Sequence, residues 1–229
     1  MKFKVTSNPE AIKESNGGSY ISKSGIYDVT IKFASVDVSA KGAESVNFNL
    51  DYNGNDQTIY GPYVTNTDGN TNEIGAKLIN KLAIVAGMTD GDDFEIEPEE
   101  HAVGKDKKLQ EFSVIQQFSD IPIKIRLQEE YYIPAQGKNA GQITKKMVIK
   151  SFFNEAGASA EEIINETEAG KRLALEQEKY ASNITYKNDL TPADIEAWYE
   201  AKKSDKSVSS KPTPKTAAKP SSSGSLFKQ

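Results

Sequence analysis

From Ile26 onward apolar and polar residues alternate, with Tyr27, Val29, Ile31 and Phe33 on one face and Asp28, Thr30 and Lys32 on the other. A period of two predicts a half-buried β-strand. Gly17-Gly18 precedes it and Ala40-Lys41-Gly42 ends it. A second strand follows, with Val46, Phe48, Leu50 and Tyr52 facing one way and Asn47, Asn49 and Asp51 the other. Asn53-Gly54 has the left-handed turn chemistry of a tight hairpin. Residues Gln57 to Val64 are therefore predicted to return antiparallel and complete a meander.

The period then changes. Between Asn72 and Gly87, the residues Ile74, Leu78, Leu82 and Val85 recur at helical spacing, and Gly87 supplies the C-terminal stop. Past an acidic loop, Ile121, Ile123, Ile125 and Leu127 alternate with Pro122, Lys124, Arg126 and Gln128; the proline marks a strand start or a sheet edge. Gly137 to Gly141 reads as a loop and Thr144 to Phe153 as a closing strand. The order predicts a mainly β fold, a small OB-like antiparallel barrel with one inserted helix. Other small antiparallel barrels and sandwiches fit the same string.

Residues 159–182 read as a charged helix opened by a capping box, Ser159 with Glu162. A short second helix begins at Thr191-Pro192 and carries Ile195, Trp198 and Tyr199. The segment 206–229 has neither period. It holds five lysines, three prolines and no acidic side chain, with Leu226-Phe227-Lys228 near its end. Such a composition cannot bury enough apolar surface to offset the entropy of ordering. The plan is thus an N-terminal arm (1–16), an OB-like domain (17–154), a helical appendage (155–205) and a disordered basic interaction tail (206–229). Leu226, Phe227 and Lys228 form a partner-binding tip.

Composition narrows the chemistry. No run of about 18 apolar residues is present, and Thr6-Ser7-Asn8 makes the N-terminus too polar for a secretory core, so a cytoplasmic protein is expected. The absence of cysteine excludes disulfides, thiolate metal sites and a cysteine nucleophile. The one histidine, His101, lies in an acidic stretch and reads as a solvated loop residue. Asp90 to Glu95 has the composition of a calcium loop without its spacing, and reads as a solvated acidic loop. No phosphate loop, nucleophile elbow, metal-ligand spacing or dinucleotide fingerprint occurs, so neither an enzyme nor a cofactor is expected.

Charge is segregated along the chain. Without the five lysines of 206–229, the remaining residues comprise 23 basic and 33 acidic side chains, a balance of −10. A nucleic-acid site must then be a local patch. One candidate is Tyr131 to Asn154, which holds Lys138, Lys145, Lys146 and Lys150 and no acid, whereas Asp90 to Glu100 holds seven acids and no base. Among the aromatics, Tyr27 and Tyr52 fall on apolar faces and read as core. Tyr60 sits opposite Ile59 and Tyr132 shares its face with Lys124 and Arg126, which makes those two the candidate exposed rings, with Tyr63 beside them. Together with Lys124, Arg126 and the four lysines they make a candidate surface on which bases stack while cations track phosphates.

The strand Gly25-Ile26-Tyr27-Asp28-Val29-Thr30-Ile31, then Val46-Asn47-Phe48-Asn49-Leu50, Ile59-Tyr60-Gly61-Pro62 and a helix ending Ala86-Gly87, resembles phage-encoded single-stranded DNA-binding proteins of small OB fold. The likeness spans residues 17–153. It implies non-catalytic, largely sequence-independent binding and protection of single-stranded DNA during replication or recombination, in the cytoplasm of an infected bacterium. A terminal Leu-Phe after a low-complexity segment is similar to the tails by which such proteins recruit replication, recombination or transcription partners, and a homo-oligomer fits the pattern. The tail here departs from the common acidic form, being basic. The other reading of the chain is a phage adaptor or inhibitor that binds a host protein and no DNA, favoured by the acidic body.

Overall fold

In the computed structural model the described residues are 20–104 and 106–208, with side chains to Lys203. The arm (1–16), the tail beyond Val208 and the tip residues Leu226, Phe227 and Lys228 lie outside them. The described residues divide into two units, with the boundary between Asp189 and Leu190. Among the described residues no helix is long and apolar enough to cross a membrane.

The first unit is mainly β. Its strands are β1 (Gly25–Val38), β2 (Glu44–Tyr52), β3 (Asn55–Ile59), β4 (Tyr63–Thr65), β5 (Ile96–Val103), β6 (Lys108–Ile115), β7 (Ile121–Tyr132), β8 (Thr144–Phe153) and β9 (Ile184–Tyr186). Helix α1 (Glu73–Val85) interrupts the series, and α2 (Ala160–Ile164) and α3 (Lys171–Lys179) follow it. All strands join one curled half-barrel sheet, antiparallel except where β9 lies parallel to β7.

β1 is the spine. Along one edge it pairs with β2 from Thr30 to Val38; along the other it pairs first with β7 and then, from Ala34 to Val36, with β6. Beyond Ile31 the register against β2 slips by one residue, so Lys32 is bulged out. A one-residue slip exchanges the faces. Ala34 joins Val29 and Ile31 in the core, while Phe33, expected on their face, lies on the opposite side of the sheet.

The core gathers Ile31, Phe48, Leu50, Ile125, Leu127 and Phe152 from four strands, closed by Leu82 and Ile79 of α1. Asn72 caps α1 by accepting the Gly75 N–H at 3.1 Å. The helix is rotated from the expected stripe. Leu82 and Val85 are buried and Leu78 packs on the core as expected, but Gly75, Ile79 and Ala83 also face inward and Ile74 is exposed. The predicted 57–64 return is split into β3 and β4 by a bend at Gly61, where a Cβ would stand 1.8 Å from the Val46 carbonyl oxygen.

Two segments differ more from expectation. The acidic loop is confined to the residues before Ile96; beyond it β5 and β6 form a hairpin whose outer strand β5 is a sheet edge, with Pro98 where no ladder donor is required. The 159–182 helix is interrupted. Its Ser159–Glu162 capping box is formed, but Glu166 takes a left-handed φ of 49° and Gly170 one of 92°, and the chain restarts as α3. β9, α2 and α3 belong to the first unit rather than to a separate appendage. In the second unit α4 (Pro192–Val208) starts as expected, Thr191 exchanging hydrogen bonds with Asp194, and it absorbs residues 206–208 that were expected in the tail.

Candidate nucleic-acid interface

The slip at Lys32 builds a trough. On the side of the sheet away from the core, β1 presents Phe33, Ser35 and Asp37, β2 presents Asn47 and Asn49, and β3 presents Thr58. The β5–β6 hairpin supplies the facing wall through Val103, Gly104, Gln110 and Phe112. Two hollows of about 580 and 610 Å³ share Asn49, Thr58, Val103 and Gly104 and form one continuous depression. Their volume is that of a ligand cleft.

The floor is polar and pre-set. Asn49 Oδ1 accepts from the Thr58 hydroxyl at 2.8 Å, and Asn47 Oδ1 accepts from the Gly61 N–H at 3.2 Å. With both amide oxygens engaged, the two NH2 groups carry no hydrogen bond to any described residue, although Asn47 and Asn49 are each only 8% exposed. The rim is aromatic: Tyr60 stands at one hollow with 77% of its surface exposed and Tyr20 at the other with 53%. Tyr63, equally exposed, lines the next hollow together with Lys41, which has no ion-pair partner among the described residues.

Charge in the trough is slightly positive at one end. Lys32 and Lys107 both bind Asp56, and their hydrogen bonds, that of Lys107 foremost, hold its carboxyl below the usual carboxylate range. Two cations over one carboxylate leave a net positive charge there.

The structure divides the sequence-predicted residues into two groups on opposite edges of β1. Tyr60 and Tyr63 accompany β2 and border the trough region. Lys124, Arg126 and Tyr132 lie on β7 and Lys145, Lys146 and Lys150 on β8, with Lys138 in the loop between. The four lysines of 131–154 are acid-free in sequence, but strand pairing brings acids to them. Lys146 lies opposite Glu130 and binds it at 2.9 Å; Lys145 binds Glu129 at 2.7 Å. Burial tends to raise both carboxyls, and the lysine hydrogen bonds overcome it and hold them low. Lys146 also stands 5.0 Å from the Tyr132 ring centroid. Lys124 binds Asp28, and Arg126 binds the buried Glu176 of α3 at 2.6 Å. This side of the sheet is largely self-neutralised.

Three features in or beside the trough were not singled out in the sequence: Tyr20, the Asn47/Asn49 pair and the Phe33–His101–Phe112 ring cluster. The alternating asparagines were the visible signal. His101 is not a solvated loop residue. It sits in β5, half-buried, sharing a hydrogen bond of 2.8 Å with Glu99. No family model and no curated protein sequence matches the chain.

Proposed function

We propose that the protein is a non-catalytic binder of single-stranded DNA and that the strand lies in the trough of the β1–β2–β3 face. The observation that supports this most is Tyr60, a large ring held 77% exposed at the rim of a preformed polar cleft. Such a ring stabilises a complex by stacking, worth about 1–3 kcal/mol per base and available to every base type. Tyr20 and Tyr63 extend the same provision. The amides of Asn47 and Asn49 and the hydroxyls of Ser35 and Thr58 offer base edges neutral partners without imposing one sequence. Lys41 and the Lys32–Lys107 pair offer phosphate contacts. An OB-like half-barrel displaying aromatics on a curled sheet suits a flexible strand. The biological setting that fits is protection of unpaired DNA in phage replication or recombination, with Leu226, Phe227 and Lys228 recruiting a partner protein.

Fluorescence anisotropy with a labelled oligo-dT and with duplex at two salt concentrations tests the reading. Tighter binding of oligo-dT, with a shallow salt slope of about 0.7 per phosphate contact, is expected. Equal affinity for duplex, or no binding of either, would overturn it.

The second reading is an adaptor or inhibitor that binds a host protein. The self-neutralised β7–β8 side supports it, since Lys124, Arg126, Lys145 and Lys146 are all engaged by carboxylates. It requires that neither oligonucleotide bind while the full chain captures a protein.

A further inference from the structure

A second, smaller cavity lies on the opposite flank of the sheet. It measures about 100 Å³, is partly open to solvent and is lined by residues of β7, β8, α1, α2 and α3. Its charged lining consists of Lys81, Arg126, Lys150 and Arg172 against Glu161 and Glu176, four cations to two carboxylates. Both carboxylates are already engaged. Glu161 binds Lys81 at 2.9 Å, while Glu176 accepts from Arg126 Nε at 2.6 Å, from Arg172 Nε at 2.7 Å and from the Ser151 hydroxyl at 2.6 Å. The two serines offer no free donor, Ser151 being given to Glu176 and Ser159 to Glu162.

What remains is an excess of donors. Arg172 reaches Glu176 through Nε alone, so its terminal nitrogens have no acceptor among the described residues; Arg126 spends one terminal nitrogen on Gln128 and keeps the other. Lys150 carries no hydrogen bond or ion pair to a described residue. It is the extra residue of a bulge in β8, since Arg126 pairs with Ser151 and Leu127 with Ile149. Bulges re-aim single side chains and recur beside functional sites. Burial, with repulsion from Arg126, Lys187 and Lys146, lowers the Lys150 pKa despite the attraction of Glu130. A bound anion would reverse that shift.

We propose that this cavity binds one phosphate-class oxyanion, held by Lys150 and the spare guanidinium donors of Arg126 and Arg172, with Lys81 at its edge. Its size admits a single tetrahedral group and excludes a nucleoside. Planar guanidinium donors and a lysine charge are the groups that recognise phosphate. The oxyanion has two possible sources, free phosphate or the terminal phosphate of a nucleic-acid strand. The proposal does not rest on strand binding in the trough.

The test is thermal unfolding of the full chain in sodium chloride and in sodium phosphate at matched ionic strength. Phosphate should raise Tm in a saturable way, as a ligand of the native state does. Lys150→Met should lose that increment yet unfold no lower than wild type in chloride, because it removes a poorly solvated charge. Lys138→Met, a loop lysine away from the cavity, should retain the increment. Should Lys150→Met fail to fold, Lys81→Met, at a half-exposed position, should weaken phosphate binding about tenfold, read from the ³¹P linewidth of inorganic phosphate. The source is then read by comparing 5′-phosphorylated with 5′-hydroxyl oligo-dT. A gain from the 5′-phosphate that Lys150→Met removes assigns the strand end, and no gain assigns free phosphate. Equal Tm in both salts, or a full phosphate increment in Lys150→Met, would overturn the proposal, whatever the Tyr60 side of the sheet does with DNA.

Discussion

Phe33 and His101 lie face to face, their ring centroids 3.8 Å apart and their planes 12° from parallel. The contact depends on the Lys32 bulge, which turns Phe33 off the core side and toward the β5–β6 hairpin. Phe112 tilts against Phe33 at 5.1 Å and completes the cluster. The hairpin is anchored on β1 at its base, by the β6 ladder and the buried Val114 and Ile115; toward its tip, where the side chains are mostly exposed, the ring cluster is the main contact with β1.

Replacing His101 with Ala should therefore loosen the hairpin selectively. The expected cost is about 0.5–1.5 kcal/mol for the lost ring pair, read from urea unfolding, with faster amide exchange confined to β5 and β6. Because the hairpin is one wall of the trough, oligo-dT affinity should fall as well. Uniform exchange across the sheet would mean that the stack is incidental to the hairpin.

The hairpin shows where the sequence was mute. β1, β2 and β7 were legible because apolar and polar residues alternate along each with a period of two. β5 and β6 leave most side chains in water, so no apolar alternation appears, and Pro98 with four glutamates imitates a loop. The Phe33 face was unreadable for a related reason: a bulge is one extra residue with no marker of its own at Lys32. Of the candidate interface, Tyr60 could be read as a candidate exposed ring, with Tyr63 beside it. The ion pairs of Lys145 and Lys146 were invisible in the sequence, because their partners Glu129 and Glu130 belong to a different strand. Cross-strand neighbours are set by register, not by distance along the chain.

Tyr60→Ala should reduce oligo-dT binding by about 1–3 kcal/mol and leave Tm nearly unchanged, since the ring packs on almost nothing. Tyr63→Ala should act in the same direction. Anisotropy titration paired with thermal unfolding separates the two effects; a large fall in Tm at unchanged affinity would make these rings structural.

Gly75→Ala reverses the usual sign of a helix substitution. In an open helix the change gains about 1 kcal/mol. Here the new Cβ would lie 1.8 Å from the Tyr63 carbonyl oxygen. Overpacking of this kind costs about 1–3 kcal/mol, so calorimetry should show a lower Tm. The displaced β4 should also carry Tyr63 out of place and weaken binding.

Glu176, only 1% exposed, ties α3 to the sheet through Arg126 of β7 and Ser151 of β8, and it also pairs with Arg172 one turn away on its own helix. Burial alone would raise its carboxyl; the bonds from Ser151 and Arg172 and the charge of Arg126 outweigh it and hold the value below the ordinary 4.5. A depressed folded value gives stability that is complete above the unfolded value and lost as pH falls through the folded one. Glu176→Gln should thus cost about 3–5 kcal/mol at neutral pH, and the gap to wild type should close in acid. Urea unfolding at a series of pH values from neutral downward checks both statements. A gap independent of pH would show that the ion pairs are not its origin.

The most direct measurement of the central proposal is photocrosslinking to oligo-dT carrying 5-iododeoxyuridine, with the attached residues mapped by mass spectrometry. Binding in the trough predicts adducts at Tyr60 and Tyr63, lost when an excess of unmodified oligo-dT competes. Adducts concentrated on Tyr132 and the β7–β8 strands, or none above the competed background, would contradict it.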